Sequence, residues 1–262
     1  MSEKTVELYN IIFQHLKAIY HPEYSILNIK RDVIDKVKGF LLDQGRKPGA
    51  INTYLRTLRA AFERLVIEEK LDRNPLYKFK PIPDNDNKKK HLTLSELREF
   101  LNYAKENASE DLYHLIRIYA GTGRRRNEII FLEREDVDLE LGIYRPRNEK
   151  SRDKHKLTRS NPDDVLDDFQ YFIDKYHTEY PFKFCHPNSI THWVKDLLRK
   201  SGHPELNLHS LRHTYITILN EKGYTLRQIQ NVIDHSTILV TELYSHDEMV
   251  ETPSIGIEIQ LL

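Results

Sequence analysis

Apolar residues recur at helical spacing in three stretches of the first 70 residues. The first stretch covers residues 5–20, the second runs from Val33 to Leu41, and the third follows Pro48 and ends near Val66. Each stretch carries an apolar stripe about as wide as the face that a surface helix turns toward a core. The pattern therefore predicts an N-terminal unit built from three helices.

A polar segment rich in proline follows this unit and has no helical or alternating pattern. It reads NPLYKFKPIPDNDNKKKH over residues 74–91 and contains three prolines and a run of three lysines. Prolines and alternating Asn and Asp residues end regular structure, so the segment is typical of a linker. We therefore expect a helical domain over residues 1–80, a linker over residues 81–91 and a second domain over residues 92–262.

The second domain combines helical patterns with one short region of strands and turns. Thr93 and Glu96 have the spacing of a capping box ahead of a helix, and residues 121–123 (GTG) divide a long helical pattern into two. Residues 136–160 predict short strands joined by turns, and the rest of the domain returns to helical spacing, with Trp193 expected in the core. The predicted fold class is therefore mainly α, with a small β-hairpin or sheet in the second domain.

Charge is distributed unevenly along the chain, although the formal net charge is zero. Residues 1–90 contain 18 Lys and Arg against 12 Asp and Glu, a difference of +6. The remaining residues contain 22 against 28, a difference of −6. The first domain therefore has the electrostatic character of a DNA-binding surface, whereas the second has only local groups of basic residues.

Cysteine content and apolar runs exclude several classes of protein. With a single cysteine, Cys185, the chain cannot form an internal disulfide framework or a thiolate zinc cluster. No apolar run approaches membrane-spanning length, and the first residues lack the apolar core of a signal peptide. We therefore expect a protein of the cytoplasm without a membrane partner.

Polar groups suited to phosphate chemistry occur in one stretch near the C-terminus. Residues 209–246 read HSLRHTYITILNEKGYTLRQIQNVIDHSTILVTELYSH, and a capping box inside this stretch starts a helix. His209 and His235 can transfer a proton, Arg212 can bind two phosphate oxygens, and Tyr244 can act as a nucleophile. Because these side chains fall where predicted helices begin or end, they can meet around one small anion.

A polar stripe on the third predicted helix is a candidate for contact with DNA. Such a stripe is more often a solvated helix face, and the positive excess of the first domain favours the DNA-binding interpretation. Three consecutive arginines, residues 124–126, begin another predicted helix, where cations are unfavourable unless an anion is bound. The candidate DNA-contacting residues are Arg46, Lys47, Asn52, Arg56, Arg59, Lys88, Lys89, Lys90 and Arg124.

Three motifs of the second domain resemble those of the tyrosine recombinases, the phage integrase family. They are TGRRRNEI at residues 122–129, HSLRHT at residues 209–214 and IDHSTILVTELYSH at residues 233–246, in the order and at the spacing of the family. The chain is most similar to the simple two-domain Xer-type members, which implies a helical core-binding domain followed by a catalytic domain. The resemblance implies the catalytic residues Arg125, Lys150, His209, Arg212, His235 and Tyr244.

The resemblance also implies an activity, namely site-specific recombination of DNA through a 3′-phosphotyrosyl intermediate. Tyr244 would be the nucleophile, the two arginines and His235 would bind the phosphate, and Lys150 would protonate the leaving oxygen. Lys154 or Lys156 could replace Lys150, because the length of this hairpin varies. The reaction requires no metal, no ATP and no other cofactor. The implied partners are double-stranded DNA with inverted-repeat half-sites and a homotetramer, or a tetramer shared with a paralogous recombinase.

Two residues depart from the family pattern. Asp234 stands where a glycine usually precedes the histidine, and Arg124 replaces a residue that is commonly apolar.

Two further interpretations remain beside the recombinase. His209 and His213 lie four residues apart, as in some metal sites, but without an HExxH motif or a nearby cysteine we expect no metal. The alternative functions are those of a type IB topoisomerase, a telomere resolvase or a catalytically silent DNA-binding protein.

The end of the chain alternates between apolar and polar residues. Ile255, Ile257, Ile259 and Leu261 fall on one face of an extended segment. Related enzymes pass their C-terminal segment to a neighbouring protomer, so our hypothesis is that this tail docks on another protomer by strand addition. Packing of the tail on its own domain is the alternative.

Overall fold

The chain divides into two compact units, Met1–Lys88 and Lys89–Leu262, in a computed structural model. This division falls inside the segment that the sequence predicts to be a linker. The structure describes residues 3–19, 29–83, 91–146, 159–160, 162–233 and 251–257.

The described part of the N-terminal unit contains the three helices that the apolar pattern predicts. They are α1 (Glu3–Ile19), α2 (Arg31–Asp43) and α3 (Pro48–Ile67). Their apolar stripes meet in one core, in which Ile51 and Leu55 of α3 are fully buried. Burial of these stripes is the main stabilising contribution, since short helices are marginal in water by themselves.

Asn52 of α3 connects the end of this unit to its helices. The side chain is buried, its amide donates to the carbonyl of Ile82 at 2.9 Å, and its oxygen accepts from the Ile82 N–H at 2.8 Å. Both backbone groups of Ile82 are thereby satisfied, so the unit extends past the predicted end at residue 80. The prediction that Asn52 contacts DNA is wrong, because its amide is buried and bonded to the protein backbone.

The second unit is mainly helical with one small sheet, which confirms the predicted fold class. Strands β1 (Val137–Asp138), β2 (Ile143–Tyr144) and β3 (Arg159–Ser160) pair antiparallel in the order β1-β2-β3. Across the described residues of both units, no helix is long and apolar enough to cross a membrane. The α-helices of this unit are α4 (Leu94–Asn107), α5 (Glu110–Thr122), α6 (Arg126–Ile130), α7 (Leu166–Lys175), α8 (Pro187–Lys200), α9 (Leu208–Glu221) and α10 (Leu226–Ile233), and short 3-10 helices cover Arg134–Asp136 and Asp163–Val165.

The predicted capping boxes are present at the starts of α4 and α10. In α4 the Thr93 hydroxyl accepts from the Glu96 N–H at 3.2 Å, and the Glu96 carboxylate accepts from the Thr93 N–H at 2.7 Å. Thr225 and Gln228 make the same exchange at 3.3 and 2.9 Å. Each box satisfies two of the N–H groups that a helix start leaves without a partner inside the helix.

Helix α5 lies in the middle of the second unit and packs against α4, α7 and α9. Residues 118–122 at its C-terminal end are all buried, and Leu115, Ile116 and Ile118 have no exposed surface. A helix segment without a polar face is expected to be enclosed in this way. The turn that follows α5 therefore begins inside the domain, where it meets several other elements.

Gly123 ends α5 in the left-handed conformation, with a φ of 61°. A β-carbon at this position would lie 2.5 Å from Cδ1 of the buried Tyr215 ring. Gly123→Ala therefore adds a clash in the core to the cost of the left-handed backbone. We expect it to lower the free energy of unfolding by roughly 2–5 kcal/mol, measured by urea denaturation.

Gly142 provides the matched control for this prediction. Its φ is also 61°, but no described atom lies within 4 Å of a β-carbon built on it. Gly142→Ala should therefore cost only the backbone contribution of about 1–2 kcal/mol. Equal losses for the two variants would mean that the Tyr215 ring moves aside without cost, and the steric argument would have to be withdrawn.

Residues 251–257 pack on their own unit. Both isoleucines of this segment are fully buried in the core of the second unit. The Gly256 N–H donates to the carboxylate of Asp164 at 2.7 Å, and Arg98 donates to the Gly256 carbonyl at 2.6 and 3.1 Å. The expectation that the tail docks on another protomer is therefore wrong for these residues, and residues 258–262 lie outside the described ranges.

Trp193 is not a core residue, contrary to the prediction from sequence. It is 44% exposed on α8, whereas Ile190, Val194 and Leu197 of the same helix are buried. These buried residues follow the spacing of one helix face, and Trp193 falls beside that face.

Candidate active site

The three consecutive arginines after α5 have three different environments. Arg124 is buried, and the Arg125 side chain is 41% exposed. Arg126 binds the start of α8, where it donates to the carbonyl of Pro187 at 3.1 Å and to the hydroxyl of Thr191 at 2.9 Å. Arg125 therefore has a partly exposed side chain that a ligand can reach, whereas the Arg126 guanidinium is bonded to α8.

Arg125 is held by Glu128, which follows it by one helical turn. Nη1 of Arg125 lies 2.6 Å from Oε1 of Glu128, and the Arg125 N–H donates to Oε2 at 3.0 Å. Burial tends to raise the pKa of the Glu128 carboxyl, but the charge of Arg124 and the bonds from Arg125 outweigh it, so this pKa is lowered overall. Glu128 is therefore ionised at neutral pH and fixes Arg125. It was not among the predicted site residues, although its i, i+3 spacing from Arg125 was a usable signal.

Arg212 is buried on α9 and connects two other elements. Nη1 donates to the carbonyl of Gly123 at 2.7 Å, and Nη2 donates to the carbonyl of Ile233 at 2.8 Å. Gly123 precedes Arg125 by two residues, and Ile233, the last residue of α10, precedes His235 by two. The structure thus brings the Arg212 guanidinium to the turn that carries Arg125 and to the end of the helix that leads to His235.

Arg124 is enclosed by groups of its own domain. Nε donates to the hydroxyl of Tyr144 at 3.2 Å, Nη2 donates to the carbonyl of Val232, and Nη1 lies 4.0 Å from Oε2 of Glu128. Its side chain has no exposed surface. The prediction that Arg124 contacts DNA is therefore wrong, because its donors face the core.

His209 lies in the first turn of α9 and is exposed. The side chain of Asn207 caps this helix and accepts from the His209 N–H at 2.9 Å. The rings of His209 and His213 meet edge to face with their centroids 4.7 Å apart. Within the described ranges, no group of three His, Cys, Asp or Glu side chains is placed to hold a metal ion.

Two tyrosines near this site are buried and are poor candidates for the nucleophile. The Tyr119 hydroxyl donates to the carbonyl of Arg126 at 3.0 Å, and the Tyr215 hydroxyl donates to the carbonyl of Pro253 at 2.8 Å. Burial raises the pKa of both phenols well above the ordinary value of 10. A buried phenol with a raised pKa can neither ionise readily nor reach a DNA strand.

Four basic residues of the N-terminal unit that are predicted to contact DNA lie within the described ranges, and all four are exposed. Arg46 and Lys47 precede α3, and Arg56 and Arg59 lie on it. Their four positively charged side chains are open to solvent and are here called the α3 surface.

Several predicted site residues lie outside the described residues, and their roles stay predictions. They are the catalytic candidates Lys150, His235 and Tyr244, and the linker candidates Lys88, Lys89 and Lys90.

Comparison with known proteins connects this geometry to a family. The model of the Phage integrase family matches residues 90–251. Tyrosine recombinase XerD of Staphylococcus aureus is 31% identical over 253 residues, which cover 87% of this chain and 82% of that protein. Tyrosine recombinase XerD of Listeria innocua is 24% identical over 234 residues, which cover 83% and 78%.

Solved structures share the fold. The Tn1549 transposon integrase in complex with transposon right end DNA has a TM-score of 0.75 at 20% identity, and the match covers 90% of this chain and 87% of that one. A lambda integrase tetramer bound to a Holliday junction has a TM-score of 0.70 at 14% identity, with coverage of 94% and 76%. With the matched motifs and the arginine geometry, these findings establish that the chain belongs to the phage integrase family and is a tyrosine recombinase, an enzyme that cleaves and rejoins DNA.

Proposed function

We propose that the chain recombines DNA at specific sites, with Tyr244 as the nucleophile that forms a 3′-phosphotyrosyl bond. The observation that carries this proposal is the position of Arg212, which bonds to the turn before Arg125 and to the end of α10. The three family motifs are separated by up to 111 residues, from Thr122 to Ile233, and this one guanidinium touches the backbone of the first and the third.

The chemistry is a displacement at phosphorus. The Tyr244 oxygen bonds to phosphorus, the bond to the 5′ oxygen breaks, and a free 5′-hydroxyl is released. His209 assists removal of the phenol proton, and Lys150 supplies a proton to the departing oxygen. Rejoining is the same step in reverse. Because the phosphotyrosyl bond conserves the energy of the phosphodiester, the cycle needs no ATP.

The arginines lower the barrier by binding the charge that develops on the phosphate. Arg125 offers its partly exposed guanidinium to the nonbridging oxygens, and the buried Arg212 would donate through N–H groups other than those bonded to Gly123 and Ile233. His235 is the third residue that would donate to the phosphate. Donors fixed before the reaction cost no reorganisation, and each is worth on the order of 10²–10³ in rate. The bonds from Arg125 to Glu128 and from Arg212 to backbone carbonyls provide this fixation.

The partners follow from the reaction. Strand exchange requires two duplexes, so we propose a homotetramer, or a tetramer shared with a paralogous recombinase, on inverted-repeat half-sites. The lambda integrase tetramer on a Holliday junction is an assembly of this kind in a protein of the same fold. The expected location is the cytoplasm, at the nucleoid.

A nicked suicide duplex that carries the cognate half-sites tests the proposed function. After cleavage the short 5′-hydroxyl strand diffuses away, so the wild-type protein should accumulate as a covalent adduct that survives denaturing electrophoresis. The adduct should form equally in EDTA and without ATP. Absence of any adduct on cognate DNA that the protein binds would favour a catalytically silent DNA-binding protein. Relaxation of plasmids without paired sites would favour a topoisomerase.

Removal of positive charge from the α3 surface is expected to lower the affinity for DNA. Arg56→Ala combined with Arg59→Ala should weaken binding, because each arginine contacts a phosphate. The slope of log K against log salt should fall by about 0.9 for each lost contact. Arg64→Ala is the matched control, since Arg64 lies on the same helix, is exposed and binds Glu68 at 3.0 Å. An unchanged salt slope in the double variant would remove α3 from the DNA interface.

A further inference from the structure

We propose that Arg124 is a positioning residue for DNA cleavage. It fixes the position of the turn that carries Arg125 relative to the end of α10. This inference rests on the proposed function and adds a residue to it. Arg124 has no exposed side-chain surface and therefore acts through its neighbours rather than on DNA.

The contacts of Arg124 join three parts of the domain. Val232 is 108 residues away on α10 and accepts from Nη2, and Tyr144 is 20 residues away on β2 and accepts from Nε at 3.2 Å. Glu128 of α6 lies 4.0 Å from Nη1. The guanidinium thus makes directional hydrogen bonds between these elements. Such bonds define the relative position of the elements more closely than apolar packing alone.

The end of α10 is held by two arginines in parallel. Arg124 binds the carbonyl of Val232, and Arg212 binds the carbonyl of Ile233. The last carbonyls of a helix have no partner inside the helix, and cations near this end interact favourably with its dipole. Both bonds therefore fix the direction in which the chain leaves α10, two residues before His235.

The same side chain also acts on Arg125. The carboxylate of Glu128 contacts both arginines, and it binds Nη1 of Arg125 at 2.6 Å. The positive charge of Arg124 helps to keep this carboxylate ionised in its buried site. Loss of Arg124 would weaken the group that orients Arg125 and remove one of the two bonds at the end of α10.

An apolar residue could fill the volume of Arg124 without making its hydrogen bonds. Such a substitution therefore distinguishes a positioning role from a contribution to packing alone. Burying a guanidinium costs several kcal/mol unless its bonds offset the loss of water. Methionine has a similar length, tolerates irregular sites and has no donors. Arg124→Met should therefore preserve the core while removing the bonds to Val232, Tyr144 and Glu128.

The experiment measures single-turnover cleavage of the nicked suicide duplex. Arg124→Met should lower the rate constant by roughly 10–100-fold, because small misplacements of catalytic groups have effects of this size. Affinity for DNA should stay within about twofold, since the side chain does not reach the surface. Arg124→Lys keeps the charge without the planar fork and should recover part of the rate.

Arg126→Met is the matched control. Arg126 follows Arg124 by two residues, and its side chain binds α8 instead of the end of α10. Its loss should lower stability or the amplitude of cleavage and leave the rate constant of the folded fraction unchanged. The rate constant is the deciding measurement, because unfolding reduces the amplitude only.

The inference is overturned if both Arg124 variants cleave with the wild-type rate constant, or if they lose amplitude alone. If Arg124→Met is insoluble, Arg124→Lys decides by the same measurement, with at least an approximately fivefold loss of rate expected. A wild-type protein that forms no adduct would overturn the proposed function and this inference together. A wild-type adduct with unaffected Arg124 variants would overturn the inference alone.

Discussion

Tyr244→Phe is expected to abolish the covalent adduct on the nicked suicide duplex while DNA binding remains within about twofold. The substitution removes one oxygen, which is the only atom that the proposed reaction bonds to phosphorus. Phenylalanine offers no oxygen for attack on phosphorus, so the loss should exceed about 10⁴-fold in the rate of adduct formation. Denaturing electrophoresis of the reaction measures the adduct, and a mobility shift on intact duplex measures binding.

Tyr224→Phe is a suitable control, because Tyr224 is a partly buried tyrosine that packs against the core of the second unit. It should leave adduct formation unchanged. An adduct that persists in Tyr244→Phe would assign the nucleophile to another tyrosine, and mass spectrometry of the trapped peptide would identify it.

Arg212→Lys is expected to affect cleavage and stability together. A single ammonium cannot reproduce the bonds to Gly123 and Ile233, which are made by two different nitrogens of one planar group. We expect the cleavage rate constant to fall by roughly 10²–10³-fold. We also expect the free energy of unfolding to fall by about 1–3 kcal/mol, because a buried carbonyl loses its partner.

Arg227→Lys is the comparison for this variant, since Arg227 is exposed on α10. It should change neither the rate constant nor the midpoint of denaturation by a measurable amount. A large loss of stability in Arg212→Lys with a normal rate constant would restrict Arg212 to a structural role. The opposite result, a normal stability with a lost rate, would mean that its carbonyl bonds contribute little to folding.

Local signals in the sequence predicted much of this fold and part of the site. Periodic apolar stripes identified α1 to α3, and the exchange between Thr93 and Glu96 marked the start of α4. These features depend on residues three or four apart, which a single sequence displays directly. The expectation that Arg125 and Arg212 lie together came from the resemblance to the tyrosine recombinases and not from such local spacing.

The wrong predictions concern residues whose environment is set by distant parts of the chain. Asn52 shares a polar stripe with Arg56, yet its partner is a backbone group 30 residues away. Arg124 adjoins the half-exposed Arg125, yet it binds a carbonyl 108 residues away. Side-chain identity and spacing contain no information about such partners, so both residues were assigned to a DNA-contacting surface. Trp193 was misplaced because hydrophobicity alone does not specify which helix face a residue occupies.

The docking of residues 251–257 limits how far the nucleophile can travel. Residue 233 is bonded to Arg212 on one side of Tyr244, and Thr252 is bonded to Ser160 at 2.8 Å on the other. Thr252 follows Tyr244 by eight positions, and a fully extended chain of that length spans about 26–29 Å. While the Thr252 attachment persists, the Tyr244 α-carbon stays within about 29 Å of Ser160 and its surroundings, which favours cleavage of the strand that the same copy holds.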